Sequence, residues 1–176
     1  MAQGRIRWID RVFDIEIPVD IHPELLERVR GTPARLEERI ALLSPALLRR
    51  REEGKWSIQE HAGHLFDVDL LFLGRLDDYE TGLPTLRPAD MTGRKTFEAD
   101  YNAREIESVL KSFRDQRIRY VERLQGWGPQ EFGRTALHPR LGKPMRVCDM
   151  LYFQAEHDDY HLARIGEMIR AAGEGR

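Results

Sequence analysis

Two histidines stand four residues apart near the C-terminal end of the chain, in Gln154-Ala155-Glu156-His157-Asp158-Asp159-Tyr160-His161. On a helix, positions i and i+4 are turned about 40° from one another and lie about 6 Å apart along the axis. Both imidazoles can therefore reach one metal ion. Val147, Leu151, Gln154, Ile165 and Met168 recur with them at steps of three or four, the core-facing stripe of an amphipathic helix. A polar group on that face must find a partner or be costly to bury. A metal ion is one partner; a hydrogen bond inside the core is another, and the more ordinary one for a single histidine. Six histidines in a chain of this length produce such a pair by chance often enough that the spacing alone does not choose.

A third histidine adds weight. Ser57-Ile58-Gln59-Glu60 has the form of a capping box, with Ser at the N-cap and Glu three residues on. The helix it opens carries Ile58, His61, His64/Leu65, Val68, Leu71/Phe72, Leu76 and Tyr79 on its inward stripe and should end near Gly82 and Pro84. With His64 inward here and His157 and His161 inward on the last helix, three neutral imidazoles can converge on one ion. Three histidines with positions left open is the pattern of a catalytic rather than a structural site. Imidazole suits Zn, Ni, Cu or Fe. A di-iron carboxylate centre would need paired Glu-x-x-His motifs, which are missing. A zincin would need the longer Glu where Asp158 stands. Asp158 could orient a ligand imidazole or accept a proton; a solvated surface carboxylate is an equal reading. His61 could be a fourth ligand, a support for the others or a surface residue. His138 reads as a turn residue, and Cys148, in the first turn of the last helix, as a buried inert thiol despite the helix dipole.

These groups need elements to position them. Residues 5–21 are rich in β-branched and aromatic side chains, but Pro18 and the lack of a partner favour an extended arm packed on the body over a strand. Leu25, Val29, Leu36, Ile40, Leu43 and Leu47 follow helical spacing, interrupted at Gly31-Thr32-Pro33. This is either two helices or one kinked helix, with Thr32 as a candidate N-cap. Residues 81–95 form a long connection without periodicity, either a lid or binding loop or a plain crossover. A third helix carries Ile106, Leu110, Phe113, Arg117, Tyr120/Val121 and Leu124 on one face, Arg117 being either a buried paired arginine or one that snorkels out. Thr135-Ala136-Leu137-His138 then enters a turn at Pro139-Arg140-Leu141-Gly142, a possible small hairpin. The last helix spans residues 146–170. The whole is all-α, a four-helix bundle with long crossover loops, in one domain over residues 1–176 with residues 1–22 as its arm.

Composition narrows the partners. Hydrophobic residues at 41% and charged residues at 33% describe an ordinary soluble domain. A formal net charge of −2 leaves no basic footprint, which argues against nucleic acid and anionic membranes. One cysteine excludes an internal disulfide and fits a reducing compartment. Residues 1–10 hold Arg5, Arg7 and Asp10 but no apolar leader segment, and no run reaches membrane-spanning length. The expectation is a cytoplasmic protein.

Trp56-Ser57, His64-Leu65 with Asp67, the late His157-Asp158-x-x-His161 with Ile165, Thr32-Pro33-Ala34-Arg35-Leu36 and His138-Pro139-Arg140-Leu141-Gly142 together resemble the DinB/YfiT-like superfamily of metal-binding four-helix bundles. The resemblance covers nearly all of the chain. It implies one divalent metal, nickel or zinc, on His64, His157 and His161. It also implies a thiol-dependent enzyme related to bacillithiol or mycothiol S-transferases and to a mycothiol-dependent maleylpyruvate isomerase. A low-molecular-weight thiol, a small-molecule substrate and a homodimer belong to the same expectation. A hydrolase using metal-bound water is the close variant, and a non-catalytic, stress-related metal-binding bundle is the alternative.

Overall fold

The computed structural model describes residues 6–173; the expected domain limits at residues 1–5 and 174–176 lie outside the described residues. The helices and strands run α1 (His22–Arg30), α2 (Thr32–Ile40), α3 (Pro45–Arg49), α4 (Ile58–Glu80), α5 (Arg94–Glu98), α6 (Ile106–Gln125), α7 (Pro129–Phe132), β1 (Thr135–His138), β2 (Lys143–Arg146) and α8 (Val147–Ala171). α4, α6 and α8 are three walls of a bundle. α1 and α2 end to end make the fourth, so the expected interruption at Gly31 is a break between two helices. Thr32 is the first helical residue of α2 rather than its cap: its hydroxyl turns inward and donates to Asp158 Oδ2 at 2.7 Å.

Two apolar clusters divide the interior. One gathers Leu25, Leu26 and Val29 with Phe72, Leu76 and Tyr79, Tyr120, Val121 and Leu124, and the first turns of α8. The other joins Leu36 and Ile40 to Ile58, Ala62 and Leu65, to Val109 and Phe113, and to Leu162, Ile165 and Ile169. The clusters give the helix directions. α1–α2 and α8 run from the first cluster to the second, whereas α4 and α6 both run from the second to the first. Parallel neighbours cannot be joined by a short turn, because the chain must travel back along the bundle. That return is residues 81–105, longer than the aperiodic connection expected over residues 81–95, and it carries α5 within it. Between the clusters lies a polar layer: His61, Asp69, Gln116, Arg117, Gln154, His157, Asp158 and His161 are all less than a tenth exposed.

Local signals hold the elements. The capping box at α4 is formed: Glu60 N donates to Ser57 Oγ at 3.1 Å and Ser57 N to Glu60 Oε2 at 2.8 Å. β1 and β2 pair antiparallel, Thr135 opposite Arg146 and His138 opposite Lys143, across a four-residue turn that Gly142 closes at φ +63°. The hairpin holds the return segment through Leu137 N to Pro84 O at 2.9 Å and Leu86 N to Leu137 O at 3.0 Å. The arm is extended between short 3-10 turns at Trp8–Asp10 and Val19–Ile21, and Phe13 and Ile15 bury in the first cluster. α3, α5 and α7, each five residues or fewer, have too few turns for a periodic signal. No helix among the described residues is long and apolar enough to cross a membrane.

Candidate metal centre and its cavity

The capping box starts α4 so that His61 and His64 fall in its first two turns, opposite the middle of α8. There His64, His157 and His161 each present a ring nitrogen, and these three atoms lie within 4.8 Å of one another. His157 Nε2 and His161 Nε2 are 3.1 Å apart. The other nitrogens have neighbours that orient the rings: His64 Nδ1 lies 3.1 Å from Thr96 Oγ1 on α5, and His161 Nδ1 lies 2.9 Å from His61 Nδ1. His61 is therefore buried against His161 rather than on the surface, and its Nδ1 is turned to that ring. His157 Nδ1 is buried without a hydrogen-bond partner, so either of its nitrogens is available to a ligand.

The electrostatics keep these rings neutral. Burial pushes His64 down to about 3, and the neighbouring His61 ring, which would repel a second imidazolium, adds to it. Burial, then Arg164, pushes His61 down to about 4. His157 and His161 lie well below the ordinary histidine range, by burial first and then by their neighbouring imidazoles. Neutral imidazoles keep their lone pairs, the form in which histidine binds a metal. The donor set of three neutral nitrogens beside a cavity fits a borderline divalent cation, which His64, His157 and His161 would hold.

That cavity measures about 650 Å³, the size range of small-molecule sites. Its walls near the histidines are aromatic. Trp56 stands with its ring centroid 4.5 Å from His64, and Trp8 from the arm stands 5.0 Å from His157. Asp90, Met91, Thr92 and Gly93 of the return segment and Tyr160 of α8 also line it.

Asp158 sits elsewhere. The carboxylate is buried, accepts from Arg117 Nη1 at 2.6 Å and from Thr32 Oγ1 at 2.7 Å, and does not line the cavity. The reading as a solvated surface carboxylate is corrected, because α1–α2 cover the flank of α8 that carries it. Its bonds bind helix to helix rather than orienting an imidazole. Arg117 is the buried, paired alternative: it also holds Asp69 through Nε at 2.8 Å and Nη2 at 2.7 Å, and it does not line the cavity. Cys148 is fully buried, and burial pushes its thiol up to about 11. His138 is 2% exposed and lines the cavity, contrary to its reading as a turn residue. Arg75 and Arg140 line it as well. Arg75 had a legible signal, since it continues the inward stripe of His64, Val68 and Leu71/Phe72.

The DinB superfamily profile matches residues 28–165. No curated protein matches the chain in sequence. Solved structures do match in fold. YfiT of Bacillus subtilis, described as a probable metal-dependent hydrolase with an unusual four-helix bundle topology, superposes with a TM-score of 0.82 at 20% identity, over 94% of this chain and 95% of that one. A mycothiol-dependent maleylpyruvate isomerase gives 0.67 at 13% identity, over 88% of this chain and 64% of that one. A DinB-like protein of Bacillus cereus gives 0.62 at 17% identity, over 86% and 92%. At these identities the likeness is one of fold.

Proposed function

The chain belongs to the DinB superfamily, and on that premise we propose that it is a metal-dependent enzyme. His64, His157 and His161 hold one divalent cation, nickel or zinc, and the reaction adds a small thiol or water to a small-molecule electrophile. One observation carries this reading: three neutral imidazole nitrogens within 4.8 Å of one another in the wall of a 650 Å³ cavity. When bound, such a cation lowers the pKa of a thiol or water that it holds. The fold likeness to a probable metal-dependent hydrolase and to a mycothiol-dependent isomerase supports the same pair of nucleophiles.

The chain's own residues prepare the site. Thr96 Oγ1 can accept a hydrogen bond from His64 Nδ1, and His61 Nδ1 one from His161 Nδ1. Each contact would leave the opposite nitrogen of the ring bare and fix its plane. Trp8 and Trp56 shield the histidines from bulk water, which strengthens electrostatic interactions inside the pocket. Because His61 is turned toward His161, it supports a ligand instead of adding a fourth, which favours an open, catalytic site over a closed storage site.

Elemental analysis of purified protein tests the proposal. Wild type, after incubation with nickel or zinc, should carry close to one equivalent of metal, and His161→Ala, checked for fold by circular dichroism, should lose most of it. No metal on wild type under those conditions would overturn the reading.

A further inference from the structure

Away from the histidines, the same cavity wall holds three nitrogen donors with nothing to donate to. His138 ends β1 and is 2% exposed. Its Nδ1 accepts from Leu141 N at 3.2 Å, so in the neutral ring the proton must sit on Nε2. That nitrogen faces Arg75 Nη1 at 3.4 Å, and a guanidinium nitrogen is also a donor. Two donors thus point at each other. Arg75 is itself 2% exposed, with Nε and Nη2 committed to Arg87 O at 3.2 and 3.1 Å. Arg140, in the hairpin turn, gives Nη1 to Ile9 O at 3.1 Å, while its Nη2 is buried and unpartnered.

Carboxylates do not answer these cations. Among the described residues no acid lies within ion-pair distance of Arg75 or Arg140; Asp78, a turn beyond Arg75 on α4, is held by Arg87 at 2.7 Å. Burial is the cause that draws the Arg140 guanidinium down, with no acidic neighbour opposing it. Each buried donor left without an acceptor costs on the order of 1–3 kcal/mol. One arrangement relieves all three: an oxyanion seated among them. Guanidinium matches carboxylate and phosphate oxygens in charge and in its forked geometry.

We propose that Arg75, His138 and Arg140 form an oxyanion-binding subsite that anchors the carboxylate or phosphate end of the ligand whose other end meets the three histidines. Arg75 lies eleven residues beyond His64 on α4, about 16 Å of helix rise, and Val68, Phe72 and Phe153 line the cavity with them. The ligand is accordingly elongated, with an anionic tip, an apolar middle and a reacting end. This deepens the enzyme reading and rests on it only for which end reacts.

Isothermal titration of chelator-treated protein tests the subsite without metal. A failure of metal binding therefore appears in metal content and leaves this result unaffected. The probes are 4-phenylbutyrate, 2-phenylethyl phosphate and the neutral 4-phenylbutyramide. Wild type should bind at least one of the two anions tenfold or more tighter than the amide, and the tighter anion tells carboxylate from phosphate. In Arg140→Gln that preference should fall below threefold, and in Arg140→Lys, which keeps the charge but loses the fork, it should lie between. Equal binding of anions and amide by wild type would overturn the proposal whatever the variants do. So would an undiminished preference in folded Arg140→Gln, or, should that variant not fold, in Arg140→Lys.

Discussion

Replacing Arg117 with methionine probes the charge cluster at the centre of the bundle. The guanidinium of α6 holds Asp69 of α4 through two bonds of 2.7 and 2.8 Å. It reaches Asp158 of α8 at 2.6 and 3.2 Å and the Val29 carbonyl of α1 at 2.5 Å. All four walls meet on one side chain that is 1% exposed. Arg117→Met preserves much of the volume but leaves two buried carboxylates, helped only by Thr32 and Gln154. Removing one partner of a buried pair costs about 3–5 kcal/mol, a large share of a total stability of about 5–15 kcal/mol. At about 2–4 °C per kcal/mol for a domain of this size, melting should fall by roughly 6–20 °C. The cost should depend on pH. Burial already pushes Asp69 up to about 6 against the pull of Arg117, and without the guanidinium its folded pKa rises further. A carboxylate whose folded pKa exceeds its unfolded one loses stability as pH rises through the folded value and regains it when protonated. The deficit relative to wild type should therefore shrink at pH 5.5 compared with pH 7.5, by roughly 1 kcal/mol for the first unit of further rise and at most about 2 kcal/mol once the folded value passes 7.5. Urea unfolding of both proteins at both pH values measures this; comparison at equal pH cancels the histidines that Arg117 does not influence, and His157, which Arg117 also pushes down, changes the deficit in the same direction. The triple variant Asp69→Asn, Arg117→Met, Asp158→Asn should recover much of the loss, since a neutral layer carries no desolvated charge. A deficit under about 1 kcal/mol, or one that does not shrink at pH 5.5, would refute this account of the layer.

Chelator-treated wild type should lose stability on acidification. Folded His61 and His138 lie at about 4, and His157 and His161 well below their ordinary value; groups with depressed folded pKa values hold their stability above the unfolded pKa near 6.5 and lose it as pH falls. From pH 7.5 to 5 a histidine held at about 4 in the folded state loses roughly 2 kcal/mol and His157 and His161 act in the same direction, together outweighing the opposite contribution of Asp69, and an unfolding free energy that stays level over this range would contradict it. Gly63→Ala should destabilise, because a Cβ there would lie 2.3 Å from the buried Tyr101 ring; overpacking of about 1–3 kcal/mol should exceed the gain of about 1 kcal/mol in helix propensity, as thermal melting will register. Cys148, fully buried with its thiol pushed up to about 11, should react with iodoacetamide only after denaturation, and prompt labelling of the native protein would show that its surroundings open.

What the chain alone determined was local. The Ser57 and Glu60 cap, the 3.6-residue recurrence of apolar positions, an interruption at Gly31-Thr32-Pro33 and the turn at Gly142 act within a few residues of themselves, so they can be read without knowing what lies across the bundle. The inward stripes likewise placed His64, His157 and His161 on facing helices. Three decisions belonged to the tertiary structure. Asp158 could be read as a proton acceptor or imidazole support or, equally, as a solvated carboxylate, because its own helix names no partner for it; α1 and α2 cover it and bring Arg117 and Thr32 against it. His61 pairs with a ring a hundred positions away. His138, Arg75 and Arg140 become one cluster only when the hairpin folds back over α4. A buried polar group is tolerated only where its partner arrives, and that partner is set by which helices run parallel and where the return segment crosses. Periodicity along one helix carries no record of either.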